Sequence, residues 1–409
     1  MRFLLGNPDF CIGGYSSHSL KLAGELRRRG HWVCLLVLSP VGVLAEEFRG
    51  NCDRLIVVAR RLEGRRSYLA RIVEAELSCE PEVVINNEVP FVQASFPWLH
   101  GRAVTCCVMH SIRDEELDVC ASLPECTDFV IGVSANTTSR LRTRLLPAQV
   151  AEVPVGVTLP AAARPAARPA AIQLVYVGRV ARQEKNLAAL EAVVRGLQQR
   201  KIAFRLTVIG DGNYRKTMAD HLRPAVERGE VVFLGARSPA AAAALLPAFD
   251  VLVLTSLVEG TPHAVLEAMA AGVVPVCSRV SGATDRIVRD GETGYLCGVN
   301  AIEEFCHAIE TLSLRRDRLA TMSEAARQDV VARYSLPLVA DRYLDLVREA
   351  RGRRAGGRGP VRLRPWPRSL RGGCHSYFRA LRARGGDVWR RLKGEYVDVR
   401  AQVLPSECH

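Results

Sequence analysis

The sequence predicts an α/β protein built from two doubly wound domains in tandem. Short runs rich in Val, Ile and Leu alternate with helical periodicities along most of the chain. That alternation breaks once, at a Pro/Ala stretch, and then restarts. The 409 residues suffice for two domains with separate cores. Strands that alternate with helices pair in parallel, and both faces of the sheet are then covered.

The first forty residues read as one strand–helix unit followed by a second strand. Residues 3–5 are apolar, residues 8–14 form a loop ending in Gly13-Gly14, and a helix follows from about residue 16. Leu20, Ala23 and Leu26 share one face of that helix. Arg27, Arg28 and Arg29 complement its carboxyl end and Gly30 stops it. Residues 32–38 make the next strand, with further strands expected at 55–58, 83–85, 104–109 and 129–133. These elements form a first domain, residues 1–158.

Residues 159–171, LPAAARPAARPAA, cannot be a strand and make a poor helix, so they read as a linker. Beyond them strands are expected at 173–177, 205–209, 231–234, 251–254 and 273–277, with a helix over about 186–200. Residues 172–335 make the second domain, and a helix over 336–350 closes the second unit. Two such sheets in tandem would leave a cleft between the carboxyl ends of their strands, where ligands of doubly wound folds bind.

Composition narrows the class. A hydrophobic content of 48% is ordinary for a globular protein. No apolar run approaches the roughly 20 residues that span a bilayer, and MRFLLGNPDF lacks the long apolar region of a signal peptide. The thirteen cysteines have no C-x-x-C or zinc-finger spacing, which predicts reduced thiols and a cytoplasmic protein. The net charge of +13 resides mostly in residues 351–409, where fifteen Lys and Arg face four acids. A basic tail on a near-neutral body is either a solvated extension or a surface-seeking one. Within it, residues 375–393 could form an amphipathic helix, and Trp366, Phe378 and Trp389 could enter an anionic lipid surface. Nucleic-acid binding is disfavoured because no recognised motif accompanies the charge.

Residues 250–296 carry the densest signal: strand, loop, short helix, strand, loop. Thr261 is a credible N-cap, Pro262 suits the first helical position and Gly272 follows the helix end. Glu259 then lies in the loop before the helix and Glu267 about one and a half turns into it. A helix start favours anions, and a carboxylate beside it suits sugar hydroxyls. The pattern fits a phosphorylated sugar.

The chain resembles the retaining glycosyltransferases of family 4, also called glycosyltransferase group 1, which have the two-domain GT-B fold. The resemblance covers roughly residues 1–348. It rests on Gly13-Gly14 with RRGHWV, VMHS around His110, VSANTTSRL from Val133 and VPVGV from Val153. The second half adds YVGRVARQEKNL from Tyr176, VIGDG from Val208, VVFLG from Val231 and the Glu259/Glu267 block. RYSLPLVADRYLDLV resembles the helix that crosses back to the first domain in that fold.

The resemblance implies a role for each matched residue. Arg179 and Lys185, with Gly178 in the same motif, would clamp the donor diphosphate and stabilise the departing charge. Glu267 would hold the nucleotide ribose through its two acceptor oxygens. Glu259 would lie near the sugar, with the backbone of Thr261, Pro262, His263 and Ala264 facing the donor. His110 would hydrogen-bond a donor-sugar hydroxyl, without acting as a general base. Gly13 and Gly14 would let the backbone approach phosphate or acceptor, although a simple tight turn fits them too. Asn86, Asn87 and Glu88 could touch the acceptor or merely make a turn. Asp285 stands where the family often has Glu, a shorter reach.

The implied activity is transfer of a hexose-type sugar from a nucleotide diphosphate sugar, UDP-linked on frequency alone. The acceptor would be lipid-linked, a polysaccharide or a small molecule. The resemblance implies no cofactor and no metal, and the absence of Asp-x-Asp agrees with that. The rivals are a sugar-nucleotide 2-epimerase of the same fold and a non-catalytic, membrane-docked scaffold.

Overall fold

A computed structural model describes residues 1–160 and 169–355. The chain divides into two compact units. One comprises Met1–Pro154 together with the chain from Val339 onward; the other is Val155–Leu338. The expected linker falls largely on residues 161–168 and most of the expected tail on 356–409, both outside the described residues.

The first unit holds β1 (Arg2–Asn7), β2 (Trp32–Val37), β3 (Arg54–Val57), β4 (Val83–Asn86), β5 (Val104–Met109), β6 (Phe129–Gly132) and β7 (Val150–Glu152). They form one sheet in the order β3-β2-β1-β4-β5-β6-β7, and every pairing is parallel. All six residues of β5 are buried, as a strand covered on both faces requires. Phe96, Leu36, Val84 and Ile72 belong to one apolar cluster of this unit.

The second unit holds β8 (Ile172–Val177), β9 (Phe204–Ile209), β10 (Val231–Gly235), β11 (Val251–Leu254), β12 (Val274–Ser278) and β13 (Tyr295–Cys297). Their order is β10-β9-β8-β11-β12-β13, again all parallel. Both sheets therefore reverse direction between their first and fourth strands, β1/β4 and β8/β11. Ligands of doubly wound folds gather outside the carboxyl ends of strands at such a switch point.

Several boundaries differ from expectation. The first helix spans Gly14–Arg28, so Gly14 is its first residue and Gly13 its N-cap. Gly13 is extended (φ −168°), a conformation open to any residue, so no left-handed turn explains it. The helix of the Glu259/Glu267 block spans His263–Ala270. Pro262, not Thr261, is its N-cap, because a ψ of 87° takes Pro262 out of the helical region. Gly272 does follow the helix with a left-handed φ of 71°. Lys185 ends a four-residue helix, Arg182–Lys185, instead of lying in open loop. The last helix runs Leu336–Ala355, five residues beyond the expected end, so the basic tail begins as helix. β7 and β13, three residues each, escaped the sequence reading as strands.

The described cysteines are unbridged. Among the described residues no helix is long and apolar enough to cross a membrane.

Candidate functional site

In the second unit the expected residues surround the β8/β11 switch point. β8 ends at Val177 and the chain turns through Gly178 at φ 156°. Gly210, at the end of β9, lies so close that a Cβ on it would sit 1.8 Å from the Gly178 carbonyl oxygen. Only glycine fits there. The buried Tyr176 hydroxyl donates to the Arg179 carbonyl oxygen at 2.8 Å and pins this turn from below.

Lys185 and Glu259 come from opposite sides of the switch point and meet at 2.6 Å. Glu259 is 8% exposed and Lys185 19%, so the pair is largely withdrawn from water. A charge-assisted bond in such a place is stronger than its surface counterpart. Three further contacts hold the loops together. Thr255 Oγ1 approaches the carbonyl oxygens of Lys185 (3.2 Å) and Asn186 (3.1 Å), and Leu257 N donates to Glu184 O at 3.0 Å. Lys185 has three ammonium donors, so engagement with Glu259 leaves capacity for a second anion.

Arg179 behaves differently. Its guanidinium pairs with Glu184 at 3.0 Å, and both side chains are 60% exposed. An exposed pair of this kind contributes about 0–1 kcal/mol and is readily exchanged for another anion. Glu267 is half-buried on the helix His263–Ala270, in the turn after its amino-terminal end. Thr261, His263 and Ala264 are half-buried and Pro262 is buried, all at that helix start. Asp285 is exposed in the four-residue helix Thr284–Ile287.

In the first unit the expected residues surround the β1/β4 switch point. Gly13 and Gly14 open the helix after β1, and His110 follows β5 directly. His110 Nε2 lies 3.0 Å from Asn87 Oδ1, and its backbone N–H donates to Glu88 Oε1 at 2.5 Å. Asn86 and Asn87 are both buried and both spent on the interior. Asn86 bonds Gln93 and the Val89 amide, while Asn87 bonds Gly6 and Ser19. Glu88 is half-buried, at a left-handed φ of 57°. Burial, reinforced by Glu116, pushes its carboxyl up to about 8.

Sequence reasoning missed His18 and Tyr343. His18 lies in the helix Gly14–Arg28 and is 2% exposed. Its ring is 5.0 Å from the His110 ring, and its Nε2 is 3.0 Å from the hydroxyl of the buried Tyr343 on the last helix. Burial, with Lys21 nearby, holds His18 far down, at about 3, hence neutral. A histidine four residues after the helix start, on its inward side, was the available signal. Among the described residues no cluster of His, Cys, Asp and Glu could hold a metal ion.

The fold is that of the two-domain GT-B proteins. The structure matches Anabaena HepE in complex with UDP and glucose, with a TM-score of 0.71 over 85% of this chain and 99% of that one, at 16% identity. It matches the pneumococcal O-GlcNAc transferase GtfA in complex with UDP and GlcNAc at a TM-score of 0.70, over 86% and 99%, with 12% identity. Such likeness establishes the fold. More particularly, residues 163–329 match the family model described as Glycosyl transferases group 1. A sulfoquinovosyl transferase of Arabidopsis thaliana is 31% identical over 158 residues, 38% of this chain and 29% of that protein. A phosphatidyl-myo-inositol mannosyltransferase of Mycobacterium leprae is 25% identical over 364 residues, 81% and 92% of the two chains. The chain spans 29%, 41% and 43% of the first three curated relatives it matches.

Proposed function

We propose that the chain is a glycosyltransferase that takes a hexose-type sugar from a nucleotide diphosphate sugar, with retention at the anomeric carbon. The observation that carries this reading is the Lys185–Glu259 pair across the β8/β11 switch point, in the loop that leads to the helix His263–Ala270 with its Glu267. Lys185 and Arg179 would face the diphosphate, and charge leaving with the phosphate would be stabilised by cations already in position. Glu267 would accept from the ribose hydroxyls and Glu259 would orient Lys185 and the sugar. His110, with Gly13 and Gly14, would serve the sugar and the acceptor from the first unit. The departing phosphate would take the acceptor's proton, so no metal or protein nucleophile is invoked.

UDP is the preferred nucleotide in this reading, in line with the UDP complexes of HepE and GtfA. The acceptor class proposed is lipid-linked, polysaccharide or small-molecule, at the cytoplasmic face of a membrane. The mannosyltransferase relative, named for a phosphatidyl-inositol, supports a lipid-linked acceptor. The basic residues after 350 would supply attraction to an anionic surface.

A thermal-shift screen against UDP-, GDP- and ADP-sugars tests the reading, because a ligand of the native state raises its melting temperature. At least one nucleotide sugar is expected to stabilise the wild type. Lys185→Ala and Glu267→Ala are each expected to cut its turnover by on the order of 10²–10³-fold while the protein stays folded. Wild-type rates in both variants would remove the site assignment. Release of an epimer without acceptor would favour the epimerase, and failure to bind any nucleotide sugar would favour a scaffold.

A further inference from the structure

We infer that Cys34 and Cys79 form a modification site, a dithiol that a hydroperoxide converts reversibly into a disulfide. The inference is independent of the sugar-transfer reading above.

Sequence spacing hides this pair, because the two cysteines lie 45 residues apart. Cys34 is in β2, and Cys79 follows the helix Arg65–Leu77 by two positions. Their Sγ atoms are 3.3 Å apart inside one apolar cluster of the first unit. A disulfide holds its sulfurs about 2 Å apart, so small rotations of two side chains close the gap. Cys79 is itself buried, but Ser78 and Glu80 on either side of it are exposed. Glu80 is left-handed at φ 46°, so Cys79 lies directly beneath a sharp surface turn. Opening of that turn at the helix end is the local motion that admits a small oxidant.

The pair is asymmetric. Arg2 Nε donates to the Cys79 carbonyl oxygen at 2.8 Å, and Arg54 Nη1 donates to the Ser78 carbonyl oxygen at 3.1 Å. Two guanidinium groups therefore flank Cys79. As a thiol, Cys79 donates toward Cys34 Sγ, with the Ala75 carbonyl oxygen at 3.5 Å as its other acceptor. When Cys79 ionises, the Cys34 thiol donates back. That bond, helped by Arg54, Ser78 and Arg2, holds Cys79 below the usual thiol range against the effect of burial. The same bond, reinforced by burial, keeps the proton on Cys34. Glu76 also faces Cys79, and burial favours its uncharged form.

The thiolate is the nucleophile in such chemistry, which makes Cys79 the attacking sulfur and Cys34 the resolving one. The Cys79 thiolate attacks one oxygen of hydrogen peroxide, the O–O bond breaks, and hydroxide departs from a new sulfenic acid. Cys34 then attacks that sulfur, the S–O bond breaks, and the Cys34 proton leaves with the hydroxyl as water. Two thiols and one peroxide thus give one disulfide and two waters, with two electrons passing from sulfur to oxygen. In reducing surroundings such a bridge is transient, because thiol reductants reverse it.

A second pair provides an internal comparison. Cys107 in β5 and Cys120 at the end of the helix Asp114–Cys120 are closer still, at 3.1 Å. Burial, Cys107, Glu88 and Cys106 all hold the proton on Cys120. Proximity alone would favour this pair, whereas thiolate character and access favour Cys34 and Cys79.

The test treats the reduced full-length protein with hydrogen peroxide in native buffer. Remaining thiols are alkylated under denaturing conditions, and unreduced peptides are mapped by mass spectrometry. One dominant link between the Cys34 and Cys79 peptides is expected, with Cys107 and Cys120 recovered alkylated. Dithiothreitol should restore both thiols, and the same treatment in urea should lose the selectivity. A preferred Cys107–Cys120 bridge, scrambled links in the native protein, over-oxidised Cys79 without a link, or full recovery of alkylated Cys34 and Cys79 would each overturn the inference. Cys34→Ser removes the resolving thiol and is expected to leave a sulfenic acid on Cys79 that a dimedone probe captures. Cys34→Ala serves the same purpose where the serine variant melts early. Absence of capture at Cys79 in a folded variant would overturn its assignment as the attacking sulfur.

Discussion

Glu76 illustrates how one side chain can set the molecule's response to pH. It lies on the helix Arg65–Leu77 with no exposed surface, and burial holds its carboxyl well above the usual range, Ser95 opposing. A group whose native affinity for the proton exceeds its unfolded one binds more protons when folded. Stability is then full below the unfolded value of about 4.5 and declines as pH rises toward the folded one. Glu76→Gln, which has no charge to desolvate, is expected to be more stable than the wild type at pH 8 and nearly equal to it at pH 4. Urea unfolding at the two pH values measures the difference, and parallel curves would reject the assignment. Lys185 and Glu259 pose the opposite case, since each neutralises the other. Removing either leaves a withdrawn charge unmatched, which is why Lys185→Ala should be read beside Lys185→Met and a melting curve.

Elements were legible in the sequence where periodicity was long and lost where it was short. β5 and β11 coincide with the expected 104–109 and 251–254, because uninterrupted apolar runs bounded by polar loops leave little freedom. β7 and β13 are too short to make a pattern. The one-residue error at Thr261 has a plain cause: a proline's φ of about −75° suits both an N-cap and a first helical residue, and only ψ separates them. The Asn86-Asn87-Glu88 cluster was visible, but its partner His110 lies 23 residues from Asn87, beyond any local reading. The helix Ala135–Arg142 after β6 offers a clean test of local coding. Ser134 and Thr137 form a reciprocal capping box at its start. Ser134→Ala is expected to cost about 1 kcal/mol of stability by denaturant titration, and a change below a few tenths would mean that water replaces the cap.

At the scale of the molecule, charge and connectivity dominate. Ending the chain after Ala355 removes twelve Lys and Arg and four acids and lowers the net charge from +13 to +5. The full chain is expected to co-sediment with vesicles rich in anionic lipid and to be released by salt, since each basic residue near such a surface contributes on the order of 1 kcal/mol. The shortened chain should bind far less while keeping its turnover with a soluble acceptor. Equal vesicle binding by the two would assign the attraction to the folded body. The first unit has a further property: it is assembled from both extremities of the polypeptide. Tyr343 plugs the space beside His18, Arg29 pairs with Asp341, and Arg354 grips Asp128 at 2.5 Å. On the ribosome the opening 154 residues emerge early yet must wait, unsealed, for a helix translated almost two hundred residues later. The unit that starts first is therefore the one that finishes last, and its apolar underside stays a client for chaperones until the final helix arrives.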